Sequence, residues 1–462
     1  MYQHRSGEAA VTHTNTWRQN MAQRLTPVRA VSFESNSSRS RHDGRRRSKF
    51  RQRRAALPRH ARLIGICGML LLLTLAGPGF ADEPVATGPA DSIAQLKVNP
   101  DGWTSSEVCG KCHQAIHAVW RESLHAKAWS NGIFQASYRR CTEEYGDQQA
   151  QMCLKCHAPT VRHGEDYDAK NAITREGITC DFCHSVSAVD LADAKDPIRI
   201  SVGKTKYGPL RHVQSPAHEI VDTKLHTQSE FCASCHEYRN ANGVAVLSTY
   251  SEWKESSYAK KGKQCQDCHM PLVPGRVVAL NVKQDSGNSV NLHDVSGSHD
   301  IDRVRDAIKL EIVGHEWLGD RVWVFIQVAN ERSGHCFPTG MPMHRAVLEV
   351  TLHDGGKLVG RRDIPFEIVM LDKNRRPLKR EYEVLVSAAS IRSDTRLKPN
   401  EKRTLDIPFR DAKAKKLALS AMLYYSYKTE TVTTEAGEDK FEPVEMKFLI
   451  ASRRTSIKPL GN

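Results

Sequence analysis

The sequence predicts an α + β multidomain protein. A loop-rich, mainly α region comes first, and an antiparallel β-sandwich follows it. Three observations carry that expectation. The tripartite stretch Cys-x-x-Cys-His occurs five times between residues 109 and 269. Around those copies the apolar periodicity is weak and turn residues are many, so side chains alone do not outline a core. From about residue 303 the pattern changes to alternation with a period of two, which places every second residue on one strand face.

The N-terminal part is set apart by charge. The formal net charge is +14, but residues 1–81 hold 15 Lys and Arg against 3 Asp and Glu, and the remaining 52 basic and 50 acidic residues nearly cancel. The high basicity is therefore no argument for a nucleic-acid partner. Within the leader, Ile64–Ala76 is an apolar run, too short to span a bilayer, with basic residues before it. Gly79 and Ala81 are small and suit cleavage before Asp82. Residues 1–81 are accordingly expected to be a basic leader and secretory signal, with 82–100 a linker. Export places the protein on the periplasmic or extracellular side.

Of thirteen cysteines, ten lie in the repeated stretch: Cys109 and Cys112, Cys153 and Cys156, Cys180 and Cys183, Cys232 and Cys235, and Cys265 and Cys268. Cys-x-x-Cys-His is the attachment pattern for c-type haem. Two thiols add to the two vinyl groups of one porphyrin, and the adjacent His lies under the iron. Zinc or disulfide pairing would not require a His after the second Cys every time. The expectation is five haem c groups, with His113, His157, His184, His236 and His269 as proximal iron ligands. Residues 101–302 form the pentahaem region, where flat apolar macrocycles supply the core. Cys67 falls in the signal. Cys141 and Cys336 remain, either bridged or as two separate buried thiols.

Two helices are legible in that region. One runs from about Gln114 to Trp129 and stops at Ser130-Asn131-Gly132. The other starts at Thr249, with Glu252 completing a capping box, and ends at Gly262. They share a pattern, Trp120-Arg-Glu-Ser-Leu-His125-Ala-Lys and Trp253-Lys-Glu-Ser-Ser-Tyr258-Ala-Lys, which suggests an internal repeat. In the C-terminal region, 303–462, Val322, Val324, Ile326 and Val328 alternate. Val347–Leu352 precedes the turn residues His353-Asp-Gly-Gly356 and a second run at Lys357–Val359. Leu423–Tyr427 and Val444–Ile450 continue the series.

What lies opposite each proximal His decides function: a second His saturates the iron for electron transfer, and an open face admits a small molecule. Seventeen of the 21 histidines lie beyond the leader, and twelve of these are outside the motifs. On a continuous helix His117 would be one turn from His113, on the same side of the same haem, and so is expected at solvent or beside a propionate. His125 would lie about 18 Å along that helix and must serve another haem. His218 precedes the fourth motif, His293 and His299 follow the last, and His335 sits in the loop-like Gly334-His-Cys-Phe-Pro-Thr-Gly340.

These stretches resemble the cytochrome c-554 family of multihaem c-type cytochromes. The resemblance rests on Cys109-x-x-Cys-His with Trp120-x-x-Ser-x-His125, and on Cys153-Leu-x-Cys-His-Ala-Pro159. It rests equally on Phe231-Cys-Ala-Ser-Cys-His-Glu237 and on Glu252-Trp253 with Cys265-Gln-Asp-Cys-His-Met-Pro271. It implies haems held between two histidines, with His125, His218, His293 and His299 as distal ligands. His335 is the candidate for the fifth. An electron carrier is the leading expectation, with redox proteins as partners and a membrane-associated, quinone-linked donor or further copies of the chain as others. The alternatives are a haem oxidoreductase with one five-coordinate iron acting on a small nitrogen or sulfur compound, and a polymerising conductive subunit. No Cys-x-x-Cys-Lys motif is present.

Overall fold

The computed structural model describes residues 96–458, apart from 194, 285, 411–415 and 436. The leader, the signal and most of the linker lie outside the described residues. Helices and sheets are both present, with the sheets concentrated in the C-terminal part.

The first helix, α1 (Gln114–Glu122), is shorter than expected. Ser123 takes an extended conformation, φ −71° and ψ 160°. Its hydroxyl instead accepts a hydrogen bond from the amide of Ala126 at 3.2 Å. Two long-range bonds explain the break. The Trp120 indole donates to the Ile178 carbonyl at 3.0 Å, and the Ile178 amide donates to the His125 carbonyl at 2.9 Å. His125 is therefore on a turn, and the 18 Å helical spacing does not apply. His117 is buried over Gly110 and 3.4 Å from Glu107, not at solvent.

Two further helices follow that the sequence did not signal. In α2 (Gly132–Tyr145) the Asn131 side chain accepts from the amides of Ile133 and Phe134. Gly146, with φ 85°, ends α2 and opens α3 (Asp147–His157), whose last turn is the second motif. The expected helix from Thr249 is also broken. It comprises Thr249–Lys254 and Ser257–Lys260, with the Ser256 hydroxyl capping the second piece. Ser248 is the N-cap and no capping box forms there. Glu252 is turned towards the C-terminal region instead.

The two broken helices are structurally equivalent. Ser256 repeats Ser123, accepting from the amides of Tyr258 and Ala259. The Trp253 indole donates to Lys263 at 2.9 Å, as Trp120 does to Ile178. Ile178 and Lys263 each lie two residues before the first Cys of a motif. Gly177 and Gly262, one residue earlier, both have positive φ, 74° and 72°. The amides of Cys180 and Cys265 donate to Ser106 and Ser229, each three residues before another motif's first Cys. Motifs one and three thus form one two-motif module, and motifs four and five a second. The second motif belongs to neither.

The C-terminal strands are β1 (Ile308–Leu318), β2 (Arg321–Asn330), β3 (Arg345–Asp354), β4 (Lys357–Phe366), β5 (Lys402–Phe409), β6 (Leu417–Glu435) and β7 (Glu438–Ile457). They form a three-stranded sheet, β5-β2-β1, and a four-stranded sheet, β4-β3-β6-β7. All pairs within these two sheets are antiparallel. The alternation of β2 holds, with Val322, Val324, Ile326 and Val328 fully buried. They share one apolar cluster with Leu348, Val350 and Leu352 of β3 and Leu419, Ala421 and Leu423 of β6. Gly355 and Gly356 make the β3–β4 turn with φ of 53° and 97°. Helix α4 (Glu381–Ser387) lies between strands. The haem-motif region and the strands are not independent: Cys141 and Ala150 pack with Tyr382, and Ile133 packs on the strand core.

Candidate functional site

A connected cavity of about 2400 Å³ runs through the region before the strands, lined by all ten motif cysteines and all five adjacent histidines. Ordinary ligand pockets hold ~300–1,000 Å³, so this space is that of several such bodies. Its walls are the side chains expected to be masked by macrocycles.

The histidines supply a sharper test. His113 faces His218, His236 faces His125, and His269 faces His335, each with ring centroids 6.3 Å apart. Two imidazoles on opposite sides of one metal, each bonded at about 2 Å, have centroids separated by roughly this distance. Such ligands need a free Nε2, which is secured when Nδ1–H donates to a carbonyl. Nδ1 of His113 meets Val277 O at 2.7 Å, and that of His269 meets Ser296 O at 2.8 Å. Nδ1 of His218 meets Glu219 O at 3.0 Å, and that of His335 meets Cys336 O at 3.0 Å. Burial pushes the pKa of His125 down to about 3 and that of His269 to about 4, with neighbouring imidazoles adding to it. These rings are neutral, as iron ligation requires. The residues present fit covalently held haem.

The other two motifs differ. His184 has Nδ1 on Tyr207 O at 2.7 Å. His226 stacks beside it at 5.3 Å, but its Nε2 is taken by Cys183 O at 2.9 Å, so it is not set up as a ligand. His293 is: Nδ1 meets Asn291 O at 2.6 Å, and the ring lies within electrostatic range of His184 and His113. His157 has Nδ1 3.3 Å from Ala128 O and stacks on Phe134 at 4.0 Å. Among the described residues no imidazole faces it at the spacing of the three pairs.

His299 is placed elsewhere than the sequence suggested. It faces none of the five proximal rings and instead meets His344 at 6.2 Å and Tyr427 at 5.6 Å. A His in a turn after the last motif has the right composition for a ligand, but the turn carries it to Tyr427, in the middle of β6. His344, Tyr427, Tyr425 and Glu381 were not singled out by sequence. Three sat in strand or loop patterns with no motif, and Glu381 was one acid among many.

The cysteines show how the motifs adjoin. The thiols of Cys109 and Cys180, of Cys232 and Cys265, and of Cys156 and Cys235 are in hydrogen-bonding contact. The first two contacts lie within the two modules, and the third joins motif two to motif four. Cys183 is in electrostatic range of Cys232 and Cys235, which links the modules. Cys141 and Cys336 are both buried free thiols. Cys141 contacts Cys153, and Cys336 lies beside Glu252. They are not bridged to each other.

The loop that carries His335 is held by a buried ion pair. Arg396 donates to Glu252 at 2.7 Å, and Glu252 accepts from the Cys336 amide at 3.1 Å and the Thr339 hydroxyl at 2.7 Å. Both charged side chains are under one-tenth exposed.

The family model described as cytochrome c554 and c-prime matches residues 108–185, which span the first three motifs. A penta-haem cytochrome c552 from Thermochromatium tepidum is similar in fold, with a TM-score of 0.59 and 21% identity. The alignment covers 76% of this chain and 98% of that one. A protein from Archaeoglobus fulgidus aligns at 8% identity with a TM-score of 0.13, too low to carry an argument. Curated proteins gave no match by sequence. Motifs, cavity, partial family match and shared fold together identify the chain as a multihaem c-type cytochrome.

Proposed function

We propose that the protein is an electron carrier with five covalent haems, four of them held between two histidines, working on the periplasmic or extracellular side. The observation that carries this is the set of three imidazole pairs at one 6.3 Å spacing. The assigned pairs are His113 with His218, His236 with His125, His269 with His335, and His184 with His293. Haem supplies reversible one-electron exchange at its iron, tuned by axial ligands and burial. The chain's part is to fix imidazole tautomers through backbone carbonyls, exclude water, and hold attachment points in contact. Those contacts order the motifs one, three, four, with two and five both adjoining four. The fold similarity to a protein described as penta-haem supports the count of five.

Export rests on the apolar run and small residues before Asp82. No helix among the described residues is long and apolar enough to cross a membrane. The strands form a β-sandwich that closes the cavity and offers a face to redox partners, whether a protein, a quinone-linked donor or another copy of the chain. Among the described residues no imidazole faces His157, which favours a second role at that motif, with one iron open to a small molecule.

The test is haem stoichiometry and spin state. Peptide mass spectrometry should find five haem-modified peptides. Electron paramagnetic resonance with magnetic circular dichroism should find four low-spin bis-imidazole centres. Fewer than four such centres in a fully loaded protein would refute the assignment.

A further inference from the structure

The first module encloses two buried opposite charges. Asp181 follows Cys180 in the third motif, and its side chain is fully buried. One carboxylate oxygen accepts from the Thr104 amide at 2.6 Å, and the other is in contact with the Lys206 ammonium, itself nine-tenths buried. The ammonium also donates to the Gly203 carbonyl. Taking away either charge would strand the other with little water to screen it.

The pair sits among the ligands of two haems. The strand that carries Lys206, Thr205–Gly208, also carries the Tyr207 carbonyl that meets His184 Nδ1 at 2.7 Å. It pairs in parallel with Glu219–Asp222, which puts Thr205 opposite Glu219. The Glu219 carbonyl meets His218 Nδ1 at 3.0 Å. Asp181 itself lies between the two attachment thiols of the third motif, and Cys180 is in contact with Cys109 of the first. The two charges do not cancel at these groups. Lys206 is the stronger electrostatic neighbour at His218, and Asp181 is the stronger at Cys109.

We propose that Asp181 and Lys206 form a charge pair that sets the reduction potentials of the haems at motifs one and three together. This rests on the bis-imidazole reading of those two haems and adds what tunes them. Reduction adds one electron to an iron enclosed in protein, where a fixed charge nearby acts with little screening. A stranded carboxylate opposes that electron, and a stranded ammonium favours it. At the fourth motif the electrostatic neighbours of His125 and His236 are other imidazoles, so that haem is the internal reference.

The experiment is a potentiometric titration of the full holoprotein, followed by visible absorption and electron paramagnetic resonance. Lys206→Met should lower two of the five midpoints and Asp181→Asn should raise the same two, each by about tenfold in the ferric-to-ferrous ratio, or about 59 mV for one electron. Lys206→Arg keeps the charge and should leave both midpoints near wild type. Asp181→Asn combined with Lys206→Met strands no charge and should return them towards wild type. The other three midpoints, the fourth motif's among them, should stay in place throughout. Midpoints that move the same way in both single variants, or not at all, overturn the proposal, as does an equal shift of all five. Loss of a low-spin signal with new carbon monoxide binding, in Lys206→Met and the double variant alike, would show that Lys206 only holds its strand, and overturns the potential-setting role. A Cys109 or Cys180 peptide without haem in the wild-type protein overturns the pentahaem reading beneath the proposal, and peptide mass spectrometry separates that failure from the others.

Discussion

The two modules share a frame but differ at its tip. Each has a Ser three residues before a motif, a Trp tied two residues ahead of the partner motif, and a Ser that ends the helix after Trp-x-Glu. In the first module the residue two places on is His125, and it faces His236 of the second module. In the second it is Tyr258, whose hydroxyl donates to the Glu331 carbonyl at 3.1 Å. The same arm therefore has two uses. In one module it reaches the next pair of motifs, and in the other it closes the series against the β region. A second difference precedes the Trp. Val119 stands where the second module has Glu252, and only Glu252 forms the ion pair that anchors the His335 loop.

Substitutions at equivalent positions separate frame from tip. His125→Ala has the largest expected effect: one low-spin centre should disappear and a carbon-monoxide-reactive one should appear, while Tyr258→Phe leaves the spectrum unchanged. Equal spectra for the two variants would break the comparison. Glu252→Ala leaves Arg396 with Asp394 as its remaining carboxylate and takes the acceptor from the Cys336 amide and the Thr339 hydroxyl, a loss of about 3 kcal/mol in denaturant unfolding. Val119→Ala, its positional counterpart, should cost less and leave the His269 centre intact. Gly177→Ala and Gly262→Ala each put a side chain on left-handed backbone, about 1–2 kcal/mol. At Gly177 the new Cβ would also fall 2.7 Å from His125 O, whereas Gly262 is open, so crowding adds about 1–3 kcal/mol there alone. Ser106→Ala and Ser229→Ala should each lower stability by about 1 kcal/mol, and by similar amounts if the frame is truly repeated.

The five motifs, the alternation of β2 and the Gly355-Gly356 turn were legible because each is a local chemical or steric requirement. The repeat was visible as eight residues, but its reality lay in hydrogen bonds to positions tens of residues away. The end of α1 was not legible, since Ser123 yields to bonds between Trp120, His125 and Ile178 that no window contains. α2 and α3 bury their faces against macrocycle space and distant strands, which weakens any 3.6-residue pattern. Candidate ligands could be counted, but pairing depends on which ring each turn delivers. His125, His218 and His335 arrive opposite proximal rings, and His299 arrives beside Tyr427. Tyr427 itself looked like one more apolar strand residue.

The long hairpin of β6 and β7 carries a consequence for assembly. Its outer half grips α2: Arg139 bonds Thr434 across 295 positions of sequence, and Arg140 lies over the Phe441 ring at 3.6 Å. Contacts so distant in sequence form late, because loop closure must be met before they stabilise anything. Tyr425 and Tyr427 of β6 also line the cavity that holds the motif thiols. Until the hairpin pairs with α2, that cavity therefore lacks one of its walls, and the last strands to settle are the ones that complete it.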